Sequence, residues 1–383
     1  MMSPHMRRTI AVVTGTRAEF GLLRSVMRAV RDHPGLRLQV VATGTHLLTS
    51  PDGTRTLDEI QVEFDVNATV PMQVEGQTGR LADAAALGRG IAGFASLFAE
   101  THPDVVVVLG DRIEAFAAAA AASVGGIRVA HIHGGDRAAG IADEAMRHAI
   151  TKLSHIHFAA TARSTERLLY LGEMPLHVHL VGSPAVDDLA SISPLTEDEY
   201  RKLDQPQIVY LLHPEDVSSD EEFTRAQRLL KQCARIGRTL ALHPNHDPGR
   251  EHVLRAIQET PEVKAVAHLP REKFIGLLRR AKVIVGNSSA GLIECAALGV
   301  PCVNVGVRQA GRETPRTVTS IVNWDFGDIG LAIERAVQQI RTPDDAAAAL
   351  RQPYGDGHAG QKIAEVLATF DTRHYPLSKR NSY

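Results

Sequence analysis

Acidic and imidazole side chains gather between Asp111 and His148 of this 383-residue chain, and proton chemistry belongs there. Asp111 stands in Gly110-Asp111-Arg112. His131-Ile132-His133-Gly134-Gly135-Asp136 follows, then Asp143-Glu144 and Arg147-His148. Carboxylates around an imidazole can share general acid and general base work. Asp111 also suits the N-cap of a helix over Ile113–Ala122, and the two roles are compatible. Arg112 beside it is placed to hold its carboxylate ionised. His131 and His133, on one strand face with Asp136 nearby, raise the question of a metal. The same His-x-His spacing recurs at His155/His157 and His177/His179, and no fourth ligand set stands out, so no metal is expected. Gly134 and Gly135 read instead as backbone that passes close to a ligand.

A second cluster suits phosphate. Gly286-Asn287-Ser288-Ser289-Ala290-Gly291 closes a short β-branched run (Lys282 to Val285) and leads into a helix over Gly291–Leu298. Orphan N–H groups and the positive helix end would meet an anion there, although a plain capped helix after a strand also fits. Glu294, one turn into that helix, suits the hydroxyls of a ribose. Arg308, in Gly306-Val307-Arg308-Gln309, follows the next strand at the same edge. Near the start of the chain, Gly15-Thr16-Arg17 precedes another helix. A cation at that position opposes the helix dipole, so Arg17 reads as an anion clamp. His46, after Gly44-Thr45, fits a ligand contact and a structural role alike. His213-Pro214 and His243-Pro244-Asn245-His246-Asp247 end two further strands. Glu144 and Asn245 complete the candidate substrate contacts.

The elements that must carry these residues alternate from end to end. Strands are expected near Thr9–Val13, Arg37–Ala42, Val105–Leu109, Arg128–His133, His155–Ala160 and His177–Val181, with helices such as Ala18–Asp32 and Ala142–Leu153 between them. The pattern breaks in a polar, proline-bearing stretch at Leu189–Pro206. It restarts with Ile208–Leu212, Thr239–Leu242, Lys264–Ala267, Val283–Val285 and Cys302–Val305, and Gly330–Phe370 is expected to be helical. The fold class is therefore α/β with two Rossmann-like domains. The first spans 1–188, with a terminal helix over 361–383 returning to it, and the second spans 189–360. Ligands of such sheets collect at the carboxyl ends of the strands, here in a cleft between two facing sheets.

Bulk properties narrow the function further. A net charge of −2 and 4% aromatic residues leave no footprint for nucleic acid. The first apolar run is too short for a signal sequence or a membrane span, and Ala115–Val124 reads as a buried helix, so a cytoplasmic protein without a membrane partner is expected. Cys295 and Cys302 sit in apolar contexts that suit packing. No Gly-x-Gly-x-x-Gly, Walker loop or Gly-x-Ser-x-Gly elbow occurs, which removes the usual dinucleotide, NTPase and hydrolase readings.

Several of these motifs in the same order resemble the UDP-N-acetylglucosamine 2-epimerase family, and its hydrolysing branch in particular. They are Thr14-Gly15-Thr16-Arg17-Ala18-Glu19-Phe20-Gly21-Leu22-Leu23, Gly110-Asp111-Arg112, Arg147-His148-Ala149-Ile150-Thr151-Lys152-Leu153-Ser154-His155, Gly286-Asn287-Ser288-Ser289, and Gly306 to Thr314. The resemblance runs from about Thr9 to Ile321. It implies a GT-B-like arrangement, with UDP on the second domain and the sugar on the first, and no cofactor. It assigns the nucleotide diphosphate to Arg17, Arg112, His213, Ser288, Ser289, Glu294 and Arg308, and catalysis to Asp111 and Asp143. Asp136 and His133 join the proton transfers, and His213 assists the diphosphate. The implied reaction is anti elimination of UDP from a UDP-sugar to give a glycal, then hydration to a free ManNAc-type sugar. A homodimer or homotetramer is the family expectation. The chain departs from the pattern at His133, where several relatives carry Glu, and at Asp136, where the family pattern has Glu. The alternatives are a non-hydrolysing epimerase that returns UDP-ManNAc, a GT-B glycosyltransferase, and a nucleotide-sugar sensor without turnover.

Overall fold

The computed structural model describes residues 7–49, 55–77, 79–137, 144–215, 217–245, 249–339 and 352–383. Val105–Leu109 is four valines and a leucine, all fully or nearly buried, and such a run can only be a strand covered on both faces. It is the centre of the first sheet. The strands are β1 (Arg8–Thr14), β2 (Leu36–Thr43), β3 (Val66–Val70), β4 (Val105–Leu109), β5 (Arg128–Ile132), β6 (Ile156–Ala159) and β7 (Val178–Leu180). All are parallel, in the order β3-β2-β1-β4-β5-β6-β7. The second sheet holds β8 (Ile208–Leu211), β9 (Thr239–Leu242), β10 (Lys264–Val266), β11 (Val283–Gly286), β12 (Cys302–Val305) and β13 (Val318–Ile321). It is also parallel, in the order β10-β9-β8-β11-β12-β13. In each sheet the order reverses once, between β1 and β4 and between β8 and β11. Those switch points are where a doubly wound sheet opens a crevice for a ligand.

The chain forms two compact units. Asp188–Tyr354 makes one, while the residues up to Asp136, from Glu144 to Asp187 and over Gly355–Tyr383 make the other. In the first unit the final helix, Ala359–Thr369, buries Ile363, Ala364 and Leu367 against the helix Arg17–Asp32, which contributes Leu23, Val26 and Met27 to the same core. Arg8 donates to the carbonyls of Leu367, Ala368 and Phe370 and so ties β1 to that helix end. The second unit has its own core around Tyr210, Leu229, Val285 and Ile333.

Several elements depart from the expectation. β3 and β13 carry no continuous apolar run, because they are edge strands with alternating or partial exposure. The helix Arg80–Thr101 also escapes the pattern. By length and hydropathy alone it could span a bilayer, but it turns Ala86, Phe94 and Phe98 into the core beside the helix Ile113–Val124. The expected helix over Gly291–Leu298 is instead two short pieces, Ser289–Leu292 and Glu294–Leu298, broken at Ile293 (φ −100°, ψ −69°). The expected helix over Gly330–Phe370 is Phe326–Gln338 and Ala359–Thr369, with turns at 353–357 and a stretch outside the described residues.

Candidate functional site

The carboxyl edge of the first sheet is built on close backbone approach. β1 ends at Thr14, and Thr16 caps the next helix by accepting the Glu19 N–H, while Glu19 accepts the Gly15 N–H at 2.9 Å. A side chain on Gly15 would collide with Glu114, so only glycine lets the two segments meet. Glu114 is fully buried, accepts from Gln73 at 2.6 Å and lies 3.4 Å from the Arg112 guanidinium. Burial first, and then the charge on Glu114, push the Glu19 carboxyl up to about 7. Arg112 therefore lies against Glu114, and Asp111 has an ion-pair partner from further along the chain.

That partner is Arg147, from the helix Glu144–Leu153, which is 3% exposed and ion-paired with the Asp111 carboxylate. Asp111 is not a helix cap either: the capping position of Ile113–Val124 is Arg112, with no side-chain cap bond. Asp111 is instead aimed by the strand end beneath it. Gly110 turns at φ +76°, and the ring of His131 holds its carbonyl at 2.7 Å through Nε2. Thr151 reaches the other ring nitrogen of His131 at 3.2 Å. Since a carbonyl can only accept, Nε2 carries the ring proton and Nδ1 accepts from Thr151. Burial pushes this imidazole down to about 3, so it is neutral across the physiological range.

His133 does not share a strand face with His131. β5 ends at Ile132, and His133 enters the left-handed region at φ +65°, because Gly134-Gly135 turns the chain there. Its Nδ1 lies 2.9 Å from Asp136 Oδ2, and Ser164 donates to Asp136 Oδ1 at 2.8 Å. Asp136 is 3% exposed with both oxygens engaged, which suits it to orient His133. Arg17 pairs with Glu59. His46 is fully buried, with Thr14 at 3.0 Å on Nε2 and Thr56 at 2.7 Å on Nδ1, and burial lowers its pKa to about 4. Both ring nitrogens are thus used inside the fold, where His46 supports the turn after β2. Glu144 opens its helix with His148 3.6 Å away, and Asp143 lies outside the described residues.

The edge of the second sheet is assembled mainly from backbone. Asn287 is fully buried and clamps His213 from both sides, accepting its N–H at 2.7 Å and donating to its carbonyl at 2.8 Å. The Asn287 carbonyl in turn receives Gln309 at 2.8 Å and Arg308 at 3.3 Å. Before it, Gly286 sits at φ +144° where a side chain would run into the Leu211 carbonyl. His213 Nδ1 accepts the Asn245 N–H at 3.2 Å, which leaves the proton of the neutral ring on Nε2. The loop after β12 is braced by Glu215, whose Oε1 accepts the N–H groups of Val307 (2.8 Å) and Arg308 (2.9 Å), with Trp324 on Oε2 at 3.1 Å.

Ser288 caps the short helix, accepting from Ala290 at 3.4 Å, and Ser289 is its first residue. Four residues make little macrodipole, so local N–H groups would have to supply whatever anion affinity this turn has. Glu294 is the first residue of the second piece, and Arg271 reaches it at 3.3 Å. Among the described residues no group of three His, Cys, Asp or Glu side chains is arranged to hold a metal.

Sequence reasoning offers no ground to single out Glu215 or Arg271, and no role for Arg147 or for the side chain of Asn287. Only Arg147 left a local trace, as a charged residue on the face of an amphipathic helix that also buries Ile150 and Thr151.

Residues 28–368 match a family model described as UDP-N-acetylglucosamine 2-epimerase. A UDP-N,N'-diacetylbacillosamine 2-epimerase (hydrolyzing) of Legionella pneumophila is 33% identical over 99% of this chain and 100% of its own length. A UDP-N-acetylglucosamine 2-epimerase of Neisseria meningitidis is 34% identical over 83% of this chain and 84% of its own. In fold, the chain is similar to a crystal structure of the Neisseria meningitidis UDP-GlcNAc 2-epimerase bound to UDP-GlcNAc (TM-score 0.77, 20% identity, covering 94% of this chain and 99% of that one).

Proposed function

The chain belongs to the UDP-N-acetylglucosamine 2-epimerase family, and from that premise we propose that it is a hydrolysing 2-epimerase of a UDP-linked 2-acetamido sugar. The observation that carries this reading is the pairing of Asp111 with Arg147 beside the buried Asp136–His133 pair at the edge of the first sheet. These are ionisable groups held for proton transfer. The second sheet instead offers Arg308, the His213 ring and turn N–H groups, which suit a diphosphate.

The reaction runs in two halves. Asp111 takes the C2 proton, the C2–H electrons form the C1=C2 bond, and the C1–O bond breaks with its electrons leaving on UDP. Water then adds to C1 while a proton is delivered to C2 in the opposite stereochemical sense, giving the free 2-epimer. A general base contributes roughly 10²–10⁴-fold, too little for a proton as weakly acidic as C2–H, so stabilisation of the leaving diphosphate by Arg308 and the His213 Nε2–H must carry much of the remainder. The hydrolysing outcome rests on the full-length likeness to the Legionella pneumophila relative, whose name states it. The same likeness favours N,N'-diacetylbacillosamine, and the Neisseria meningitidis likeness N-acetylglucosamine, as the sugar to try.

Phosphorus NMR of the protein with each UDP-sugar tests the proposal. Free UDP accumulating with free 2-epimer is expected for one of them. A 2-epimer still attached to UDP would mean the non-hydrolysing reaction, and UDP binding without turnover of either sugar would point to a sensor.

A further inference from the structure

Behind His133 runs an unbroken line of buried side chains, of which the epimerase reading uses only Asp136 and His133. Thr161, Ser164, Asp136, His133 and Ser183 are each 5% exposed or less. The contacts are Thr161 Oγ1 to Ser164 Oγ at 2.9 Å, Ser164 Oγ to Asp136 Oδ1 at 2.8 Å, Asp136 Oδ2 to His133 Nδ1 at 2.9 Å, and His133 Nε2 to Ser183 Oγ at 3.0 Å. The loop is shaped for this. Gly135, at φ +75°, passes against the Ser164 carbonyl where a side chain would not fit, and the Gly135 carbonyl accepts from Arg167 at 3.2 Å.

Donor and acceptor bookkeeping fixes the protons along the line. The ionised Asp136 carboxylate can only accept, so the proton of the neutral His133 ring sits on Nδ1 and is donated to Asp136. Nε2 of that ring is then unprotonated and accepts the Ser183 hydroxyl at 3.0 Å, while the Ser183 oxygen accepts the Ala185 N–H at 3.2 Å. At the other end, Thr161 Oγ1 accepts the Ser164 N–H at 3.0 Å. The Ser164 hydroxyl donates to the Asp136 carboxylate, which an ionised acid requires. With the His133 ring neutral, every bond along the line then has one donor and one acceptor.

We propose that Ser183 is a positioning residue of the reaction: with Asp136 it sets His133 in the Nδ1–H form, with Nε2 as the ready proton acceptor. This rests on the epimerase reading for its meaning in turnover but not for its geometry. An imidazole backed by a carboxylate on one nitrogen and presenting a lone pair on the other is prepared to take up a proton and hold it as imidazolium beside Asp136. Ser183 keeps that lone pair hydrogen-bonded until the ring is used.

Nitrogen-15 NMR of the histidine-labelled full-length protein, with the His133 signals assigned by His133→Gln, reads the tautomer directly. Wild type is expected to show Nδ1 protonated and Nε2 as acceptor. Ser183→Ala should mix the two tautomers, lower kcat by about tenfold with KM little changed, and move the acid limb of the pH–rate profile by roughly one unit, the size of one neutral hydrogen bond. Ser183→Thr, which keeps the hydroxyl, should restore all three. An Nε2-protonated His133 in wild type would overturn the proposal even if Ser183→Ala failed to fold. So would a Ser183→Ala protein with unchanged tautomer and pH profile. Wild-type protein inert toward both UDP-sugars but showing the expected tautomer would sink the epimerase reading and leave the assignment of Ser183 as the residue that sets His133 standing.

Discussion

At the carboxyl edge of the first sheet the groups that matter are side chains holding other side chains: Arg147 on Asp111, Asp136 on His133, Ser164 on Asp136. At the corresponding edge of the second sheet side chains hold backbone: Asn287 on both peptide groups of His213, Glu215 on the N–H groups of Val307 and Arg308. The two units share a doubly wound parallel topology, with Asp111 following β4 at one switch point and His213 and Asn287 following β8 and β11 at the other. The difference follows from the job. A proton must be taken by a group whose charge state is prepared in advance, whereas a diphosphate is held by N–H groups and cations whose charge does not change. The fold supplies the place, and the residues behind the strand ends decide which chemistry it supports.

The contrast breaks most visibly at Asp111. Asp111→Asn should cut turnover by about 10²–10⁴-fold while UDP affinity, measured calorimetrically, stays within about twofold. Near-normal turnover would remove Asp111 from the proton transfer. The mirror experiment is Asn287→Ala, which strands the buried N–H and carbonyl of His213. A loss of roughly 1–3 kcal/mol per unsatisfied group is expected, read as a lower Tm together with weakened UDP binding. If UDP binds normally to the folded variant, the clamp is structural only. A smaller effect should come from Glu215→Gln, where an amide oxygen still accepts but the charge is gone. UDP affinity is expected to fall a few-fold, and KM to rise more than kcat falls.

The smallest test concerns pH and belongs almost wholly to the first unit. His46, His131 and His157 are all lowered, to about 4, 3 and 4, by burial above all. A depressed histidine contributes stability that is complete above its unfolded value near 6.5 and lost as pH falls through the folded one. Glu19, raised to about 7, has the opposite sign: its contribution is complete below the usual carboxylate value and is lost as pH rises to 7. Three groups against one predict a Tm that drops between pH 6.5 and 4, and a shallower drop for His131→Gln. A Tm that rises on acidification would contradict these assignments.

Much of the fold was legible because the inner strands are β-branched runs buried on both faces, and these alternate with amphipathic helices. β3 and β13 were not, since an edge strand needs no apolar face on its open side. The break at Ile293 was hidden as well, because Ser288 to Leu298 has no proline and reads as one helix. Asp111 could be found from sequence as the acid that leaves a dry strand. Its partner could not: adjacency favoured Arg112, and only the packing of the helix Glu144–Leu153 brings Arg147 to it. His46 looked like a ligand contact from its place at a strand end, while the two threonines that occupy its ring lie apart from it in sequence. Glu215 acts on peptide N–H groups, a role that leaves no signature in residue type.

Proton NMR of the wild-type protein with its UDP-sugar in D₂O addresses hydrolytic epimerisation through C2–H cleavage most directly. Free UDP with a free 2-epimer carrying deuterium at C2 is the predicted result. A free sugar that keeps its original C2 proton and configuration would mean simple hydrolysis at C1, and would remove Asp111, Arg147 and His133 from any role in moving a C2 proton.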